Sequence, residues 1–333
     1  MARHFILVLS AFLVLGCSFG SGGKIPPKID HSRTTSFENG VLTISMTPFD
    51  NPDFRVLLST RDDAESEFEF PTEMPGHVGR GWTLLQRGGG GEDPFMGYAI
   101  VSWNPDDPSD YLTAGWWFQF RNQQFPDVDP YHDDTLAFLF IDGPEIDPTL
   151  PPSLPAMGTA SYSGGAGGQY LYKYGDNWPE DLKGKIASRE LAGVMTLTAD
   201  FAAGTIGGCL GCVGDLTVQQ LHLKSAFDRF ETEPVELLAH PRDYEVRFAP
   251  TEFNPDGTFQ TGEGVTVTHP ERSIAGIRRG YWGGGLSNRP DSAGNPRLVS
   301  GFSSVLFLEE DGSRVIISGI FNALSEDFRA ANP

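Results

Sequence analysis

Short extended segments dominate the pattern of apolar and polar positions along the chain. Residues 135–141 (TLAFLFI) form a nearly continuous apolar run, which is typical of a strand that is buried on both faces. Asp311 and Gly312 separate two strong strand patterns, at 298–308 and 314–323, and Asp-Gly is a preferred turn of a β-hairpin. The last two segments are therefore predicted to pair as antiparallel strands.

About eight strand-like segments lie in the second half of the chain. They cover residues 158–164, 168–174, 191–201, 244–248, 264–269, 274–288, 298–308 and 314–323. Eight antiparallel strands suit a closed up-and-down barrel, because closure leaves no unpaired sheet edge. The predicted fold class is all-β, with a β-rich handle domain over residues 40–141 and an eight-stranded barrel over residues 157–333.

Stretches without a regular apolar period separate these segments. Residues 142–156 contain five prolines and are predicted to be a linker between the two domains. Residues 68–82 contain Pro71, Pro75 and several glycines and are predicted to be irregular. The pattern over residues 216–236 is irregular, and it leaves open a short helix or an insertion loop.

The first 16 residues have the pattern of an export signal. A basic flank precedes an apolar or small run over residues 5–16, which is shorter than the roughly 17–25 residues of a membrane-spanning helix. The sequence VLGC at residues 14–17, which overlaps the end of this run, resembles the bacterial lipobox. In that motif the cysteine, here Cys17, receives the lipid. Residues 17–39 are then predicted to be a lipidated tether. The alternative is an ordinary secretory signal that is cut near Gly20 or Gly23.

The acidic composition limits the classes of partner. A formal net charge of -20 opposes direct binding to nucleic acid or anionic lipid, so membrane contact is predicted only through the lipid on Cys17. The 40 glycines, 25 prolines and 24 phenylalanines favour many short strands that are joined by tight turns around aromatic cores.

Two cysteines remain once Cys17 is assigned to the lipid. Cys209 and Cys212 form a CxxC pair, and an even remainder in an exported protein favours a local disulfide. Free thiols and a redox or zinc pair are the alternatives. No second CxxC follows, and His222 lacks a second histidine at the close spacing of a zinc site.

Tyr131, His132 and Asp133 form a tight cluster of side chains that suit a divalent or ferric ion. The alternative is a solvated acidic loop, because ligands that are adjacent in sequence rarely converge. A single axial histidine is enough to bind haem. Four other histidines are scattered along the chain: His77, His222, His240 and His269. No resident cofactor is predicted, and haem or iron is considered only as a ligand.

Two aromatic pairs are candidates for ligand binding. Tyr281 and Trp282 precede three glycines, which predicts either aromatic rings at a flexible barrel rim or one ring that fills the core beside a tight bend. Trp116 and Trp117 lie side by side in a predicted strand, which places one indole on each face. The same two interpretations apply to this second pair.

The common catalytic motifs are missing from the sequence. It contains no nucleophile elbow, HExxH, Walker loop or GxGxxG after a strand, so no catalytic residue is predicted. A periplasmic hydrolase is a further hypothesis. It would be supported by an activated serine in a cleft or by a cluster of carboxylates with perturbed pKa values.

Glycine-rich strand segments in the second half resemble those of a known family. The segments at 158–164 (GTASYSG), 192–201 (AGVMTLTADF) and 204–208 (GTIGG) resemble the barrel signature of transferrin-binding protein B-like surface lipoproteins. Residues 275–286 (AGIRRGYWGGGL) resemble a late strand of that family, and residues 299–321 resemble its closing hairpin. The resemblance covers roughly the C-terminal half of the chain.

The resemblance implies a Gram-negative outer-membrane lipoprotein that pairs one β-rich handle with one eight-stranded barrel. Members of such families capture host iron proteins, haem carriers or complement regulators, or bind small solutes. The leading hypothesis is a monomeric, non-enzymatic lipoprotein whose barrel or handle loops bind a protein or a small molecule. Whether it faces the cell surface or the periplasm is left open. The alternative is a structural envelope lipoprotein with a self-filled barrel.

Overall fold

The computed structural model describes residues 34–46, 56–59, 74–86, 95–120, 122, 135–147, 149–219 and 235–332. These residues form antiparallel β-sheets and one short helix, α1 (Glu326–Ala331), which confirms the all-β class. The predicted export signal and Cys17 lie outside the described residues. No helix in the described ranges is long and apolar enough to cross a membrane.

Two small sheets form the first half of the described chain. The first has three strands, in the order β1 (Thr34–Glu38), β2 (Val41–Met46) and β3 (Val56–Ser59). The second has four strands, in the order β4 (Val78–Gln86), β5 (Phe95–Asn104), β6 (Asp107–Phe120) and β7 (Thr135–Asp142). Both follow chain order, so sequential strands are neighbours.

Strand structure begins inside the stretch that was assigned to the tether, because β1 falls within residues 17–39. Phe37 is buried, and its ring centroid lies 4.8 Å from that of Trp103 and 6.3 Å from that of Tyr111. The hydroxyl of Tyr111 donates a hydrogen bond to the carbonyl of Thr35 over 2.8 Å. These contacts attach β1 to the four-stranded sheet.

Strand β4 shows that the prediction of an irregular segment over residues 68–82 was wrong at its C-terminal end. Pro71 and Pro75 both precede the first residue of the strand, Val78, so neither interrupts its ladder. The glycines at 79 and 81 lie in an edge strand, where they pair with Ser102 and Ile100. Glycine lowers strand propensity, but pairing with β5 outweighs this local preference.

The second half of the chain forms one ten-stranded sheet. Its hydrogen-bonded order is β13-β15-β16-β17-β8-β9-β10-β12-β14, and β11 pairs with β9. The strands are β8 (Thr159–Lys173), β9 (Ile186–Asp200), β10 (Thr205–Leu210), β11 (Thr217–Gln219), β12 (Glu245–Glu252), β13 (Thr258–Thr261), β14 (Val265–Thr268), β15 (Ile274–Leu286), β16 (Leu298–Glu309) and β17 (Arg314–Ser325).

The predicted hairpin between β16 and β17 is confirmed. The two strands pair from Leu298 opposite Leu324 to Leu308 opposite Arg314, and Gly312 in the turn has a φ of 85°. The two segments predicted at 158–164 and 168–174 form one continuous strand, β8. Glycines in β8 do not break it, because they allow the backbone of β17 to approach closely.

The large sheet is strongly curved. Strand β13 begins the hydrogen-bonded order and strands β12 and β14 end it, yet the curvature brings these two ends of the sheet next to each other. Phe253, directly after β12, forms an antiparallel bridge with Phe259 in β13. A Cβ atom placed on Gly280 of β15 would lie 2.9 Å from the Cβ of Val265 in β14. The curvature gives the sheet a concave face and a convex face.

Side chains on the two faces of the large sheet belong to two different cores. In β17, Val315, Ile317 and Phe321 belong to the concave core, whereas Ile316 and Ile320 belong to the core on the convex face. This alternation follows from the two-residue period of a strand. The convex core also contains Ile100, Leu112, Ala114 and Phe120 of the four-stranded sheet, and we call it the interface core.

The predicted linker over residues 142–156 takes part in the interface. Ile146 is buried in the interface core, and Glu145 is buried beside it. Of the segment over residues 216–236, which the sequence left open, the structure describes residues 216–219, which include β11, and residues 235 and 236. The residues between them lie outside the described ranges.

Candidate functional site

Tyr281 and Trp282 are both buried, which agrees with the second of the two interpretations, a ring that fills the core, and not with rings at an exposed rim. They are adjacent in β15 and therefore point to opposite faces of the sheet. Tyr281 is 2% exposed in the interface core, and Trp282 is 0% exposed in the concave core. The Trp282 ring stacks on Phe248 at a centroid distance of 4.9 Å, and its Nε1 donates a hydrogen bond to the hydroxyl of Thr251 over 3.2 Å.

The three glycines after Trp282 provide close packing instead of a flexible bend. They remain inside β15 and pair with β13 and β16. A Cβ atom on Gly283 would lie 2.7 Å from the carbonyl oxygen of Phe259, and one on Gly285 would lie 2.5 Å from Cγ2 of Ile146. Glycine at these positions lets the neighbouring strand and the interface core approach the backbone of β15.

Several other predicted site residues cannot be placed in a site. Trp116 and Trp117 lie in β6, opposite Tyr98 and Gly97 of β5, and their side chains lie outside the described part of the structure. Tyr131, His132, Asp133 and His222 also lie outside it. Among the residues that are described, no group of three or more His, Cys, Asp or Glu side chains is arranged to hold a metal ion.

Cys209 and Cys212 form a disulfide, as the cysteine count predicted. Their Cα atoms lie 5.8 Å apart, and Cys209 is the buried member of the pair. Cys209 is in β10, and the bridge closes the turn that follows this strand. Its position at a strand end supports a structural role for the pair.

His77 joins Ser102 and Asp110 in an arrangement that has the residue types of a hydrolytic triad. Nδ1 of His77 lies 3.3 Å from the hydroxyl of Ser102, and Nε2 lies 3.5 Å from a carboxylate oxygen of Asp110. Ser102 is only 3% exposed, however, so its hydroxyl is not presented to a substrate. Asp110 is also paired with Arg289 at 3.1 Å. The arrangement therefore links the four-stranded sheet to the loop after β15 and lends no support to hydrolysis.

Four buried tyrosines line one end of the concave face. Tyr170, Tyr172 and Tyr174 alternate along β8 and the residue after it, which places them on one face, and Tyr244 directly precedes β12. The ring of Tyr172 lies 6.2 Å from that of Tyr170 and 5.0 Å from that of Tyr174, and the rings of Tyr170 and Tyr244 lie 6.5 Å apart. We call these four residues the tyrosine cluster.

An ion pair between a buried carboxylate and a partly buried arginine lies within the tyrosine cluster. Glu309, at the end of β16, is 3% exposed and accepts hydrogen bonds from Tyr172 over 2.6 Å and from Tyr244. Arg272 lies 3.6 Å from the carboxylate of Glu309, donates to the hydroxyl of Tyr244 over 3.1 Å, and lies 5.7 Å from the ring centroids of both tyrosines. The carboxylate is thus compensated by a cation and two donors, as a buried charge requires.

Burial raises the pKa of all four tyrosine hydroxyls, and the nearby carboxylate of Glu309 adds to the pKa increase of Tyr172 and Tyr244. These hydroxyls therefore remain protonated and act as hydrogen-bond donors near neutral pH. Burial also lowers the pKa of His269, whose ring lies 4.7 Å from that of Tyr244. The cluster is suited to hold hydrogen-bond acceptors in a fixed geometry.

An extended segment, residues 235–240, crosses the tyrosine cluster, and we call it the strap. It lies outside the strands of the sheet, yet its burial alternates with a period of two. Val235, Leu237 and Ala239 are buried in the concave core, whereas the residues between them are exposed. His240, one of the scattered histidines, is the exposed last residue of the strap.

Side chains of the sheet hold the backbone of the strap. Tyr174 donates to the carbonyl of Glu236 over 2.7 Å and accepts from the amide of Leu238 over 3.0 Å. Tyr170 donates to the carbonyl of Ala239 over 2.8 Å, and Arg189 donates to the carbonyl of Val235 over 2.6 Å. These four bonds replace the backbone ladder that would hold a strand.

Sequence reasoning missed this site. The spacing of the tyrosines at 170, 172 and 174 was an available signal, because residues two apart in a strand share a face. Nothing local indicated that Glu309, Arg272 and the strap would meet the same face. These residues come from segments that are far apart in sequence.

No protein-family model matches the chain, and no curated protein matches it. Among solved structures, the chain is similar to the crystal structure of a double mutant of the vaccine antigen transferrin binding protein B from Haemophilus parasuis Hp5. The sequence identity is 14% and the TM-score is 0.31, over 74% of this chain and 37% of that chain. This chain therefore matches little more than a third of the length of that protein.

Proposed function

We propose that the chain is an outer-membrane lipoprotein that binds a protein ligand without catalysis. Its lipid anchor is Cys17, its handle domain covers residues 40–141, and its barrel domain begins near residue 157. The export signal with its lipobox and the resemblance of the strand motifs to transferrin-binding protein B-like lipoproteins support this proposal. A protein ligand is preferred to haem or a small solute because the concave core is filled by the protein's own side chains.

We choose a protein ligand because side chains of the protein itself fill the concave core. Trp282, Phe307 and Met195 are fully buried there and belong to one continuous cluster with Leu237 and Ala239 of the strap. A small barrel either holds one small ligand or is filled by its own side chains. A core occupied in this way supports recognition of a macromolecule by surface loops or by the end of the barrel.

The anchor is tested by metabolic labelling with palmitate in a Gram-negative host. We expect the full-length protein to carry the label and to sediment with membranes, and we expect the Cys17→Ser variant to lose both properties. Ser18→Ala is the matched control, because it changes the neighbouring residue and leaves the thiol in place. Unchanged labelling and sedimentation of the Cys17→Ser variant would contradict the proposal.

The ligand class is tested on the signal-free protein. Haemin titration followed by visible absorbance is expected to give no saturable complex, since the concave core is filled. Surface plasmon resonance against iron-transport proteins, haem carriers and complement regulators is expected to detect at least one saturable interaction. A stoichiometric haemin complex would show that the ligand is a small molecule.

A structural envelope lipoprotein is the second candidate function. The same filled core favours it, as does the bidentate ion pair between Glu145 and Arg297 that fastens the chain between the sheets. It predicts that no ligand binds and that deletion of the protein alters envelope integrity. Detergent sensitivity of a deletion strain, together with a negative binding panel, would favour this candidate.

A further inference from the structure

The strap is held as a bound peptide is held. Within the described residues it pairs with no strand, and its three carbonyls and one amide are contacted by side chains of Tyr170, Tyr174 and Arg189. Side-chain donors that point at a peptide backbone fix its path without specifying its sequence. We call these three side chains the wall. The wall recognises the backbone of an extended peptide, whatever the sequence of that peptide.

The strap also fills pockets with alternate side chains. Leu237 is 8% exposed and lies in the concave core, whereas Leu238 is 45% exposed on the opposite side. Ala239 is fully buried, and its carbonyl accepts the hydrogen bond from Tyr170, so a small side chain fills the position nearest Tyr170. Backbone recognition combined with alternate apolar pockets is the general mode by which proteins bind extended peptides.

The hydroxyls of Tyr170 and Tyr174 restrict what can replace the strap. Both tyrosines are buried, and a buried donor without an acceptor costs about 1–3 kcal/mol. A purely apolar solute would fill the pockets but leave these hydroxyls unsatisfied. Another extended peptide satisfies both the donors and the pockets.

We propose that the strap occupies a peptide-binding site, and that an extended segment of a partner protein displaces it. The preferred segment has apolar residues at the first and third positions and a small residue at the fifth, as residues 235–239 do. The inference rests on the proposed function, because it specifies how a protein ligand is recognised. It places recognition at the end of the concave face that bears the tyrosine cluster.

The strap is an intramolecular competitor, so weakening it should expose the site. The probe is a fluorescein-labelled peptide of residues 235–241 (VELLAHP), and the readout is fluorescence anisotropy with the signal-free protein. We expect the Leu237→Asp variant to bind the probe at least about tenfold more tightly than wild type, because a buried apolar anchor of the competitor is lost. Leu238→Asp is the matched control and should bind as wild type does.

Two further measurements test the side chains that hold the peptide backbone and the pockets that hold its apolar side chains. Adding Tyr174→Phe to the Leu237→Asp variant should reverse the gain, because two backbone contacts of the peptide are lost. A probe with aspartate at its third position (VEDLAHP) should bind neither variant. If Leu237→Asp is folded by near-ultraviolet circular dichroism and binds VELLAHP no better than Leu238→Asp does, the proposal is overturned.

A measurement on the wild-type chain decides the question if Leu237→Asp fails to fold. Hydrogen–deuterium exchange of residues 235–240 is compared with and without excess unlabelled VELLAHP. Displacement predicts faster exchange in the strap and unchanged exchange in β16 and β17, and an unchanged strap would overturn the proposal. These assays use neither the lipid nor a natural partner, so their failure leaves the proposed lipoprotein function to its own tests.

Discussion

The hydroxyl of Tyr172 donates a 2.6 Å hydrogen bond to the carboxylate of Glu309, although 137 residues separate them in the chain. Tyr172 lies in β8 and Glu309 ends β16, with β17 between them in the sheet. The contact crosses the concave face at the end that the strap covers. It places a charged group inside an otherwise apolar and aromatic core.

Glu309→Ala is expected to lower the free energy of unfolding by about 3–5 kcal/mol, because it leaves Arg272 and two tyrosine hydroxyls without their buried partner. Glu309→Gln retains an acceptor and should cost less. Urea unfolding followed by tryptophan fluorescence measures both. Glu310→Gln, at the exposed neighbouring residue, serves as the control. Equal unfolding midpoints for Glu309→Ala and wild type would disprove the role assigned to the carboxylate.

Glu145 is expected to fasten the four-stranded sheet to the large sheet. Its carboxylate accepts two hydrogen bonds from Arg297, at 2.8 and 2.7 Å, and one from Ser287 at 2.5 Å. Glu145→Ala should therefore destabilise the protein by about 3–5 kcal/mol and speed proteolysis of the four-stranded sheet. The exposed Glu263 provides the control, as Glu263→Ala. Identical proteolysis of the two variants would show that the interface core alone holds the sheets together.

Alkaline pH is expected to unfold the protein cooperatively. Burial raises the pKa of seven tyrosines, namely Tyr111, Tyr162, Tyr170, Tyr172, Tyr174, Tyr244 and Tyr281. A raised pKa means that the folded state binds these protons more tightly, so the stability is fully present below about pH 10 and is lost as the pH rises further.

Tyrosinate absorbance and circular dichroism followed together through an alkaline titration test this expectation. The seven tyrosines should ionise together with loss of the fold, and Tyr162→Phe should move the transition to higher pH, since one fewer proton is released. Ionisation of most tyrosines before any loss of circular dichroism would contradict the burial assigned to them.

Removal of the disulfide is expected to cause a modest loss of stability. The cysteines are three positions apart, and constraint of so short a loop in the unfolded chain is worth about 2 kcal/mol. The variant with both Cys209→Ser and Cys212→Ser should have a lower thermal midpoint. A reductant should lower the wild-type midpoint to that of the variant and leave the variant unchanged. A response of the variant to the reductant would point to another cause.

The sequence by itself predicted the features that depend on neighbours in the chain. The Asp311-Gly312 turn identified the β16–β17 hairpin, because the turn geometry and the flanking strands are local. The disulfide between Cys209 and Cys212 was predicted from the even number of cysteines that remain once Cys17 is assigned to the lipid. Strand limits were less accurate in glycine-rich stretches such as β4 and β8, where pairing with a neighbouring strand overrides weak intrinsic propensity.

Only the tertiary structure decided which side chains are buried and what they contact. Tyr281 and Trp282 look alike in sequence, yet they lie in two separate cores, because adjacent strand residues point to opposite faces and both faces of the sheet are covered here. Glu309, Arg272 and the strap reach the tyrosines of β8 only through the order and curvature of the strands. All-β character is thus determined by local pattern, whereas the candidate site depends on contacts between segments that no local pattern relates.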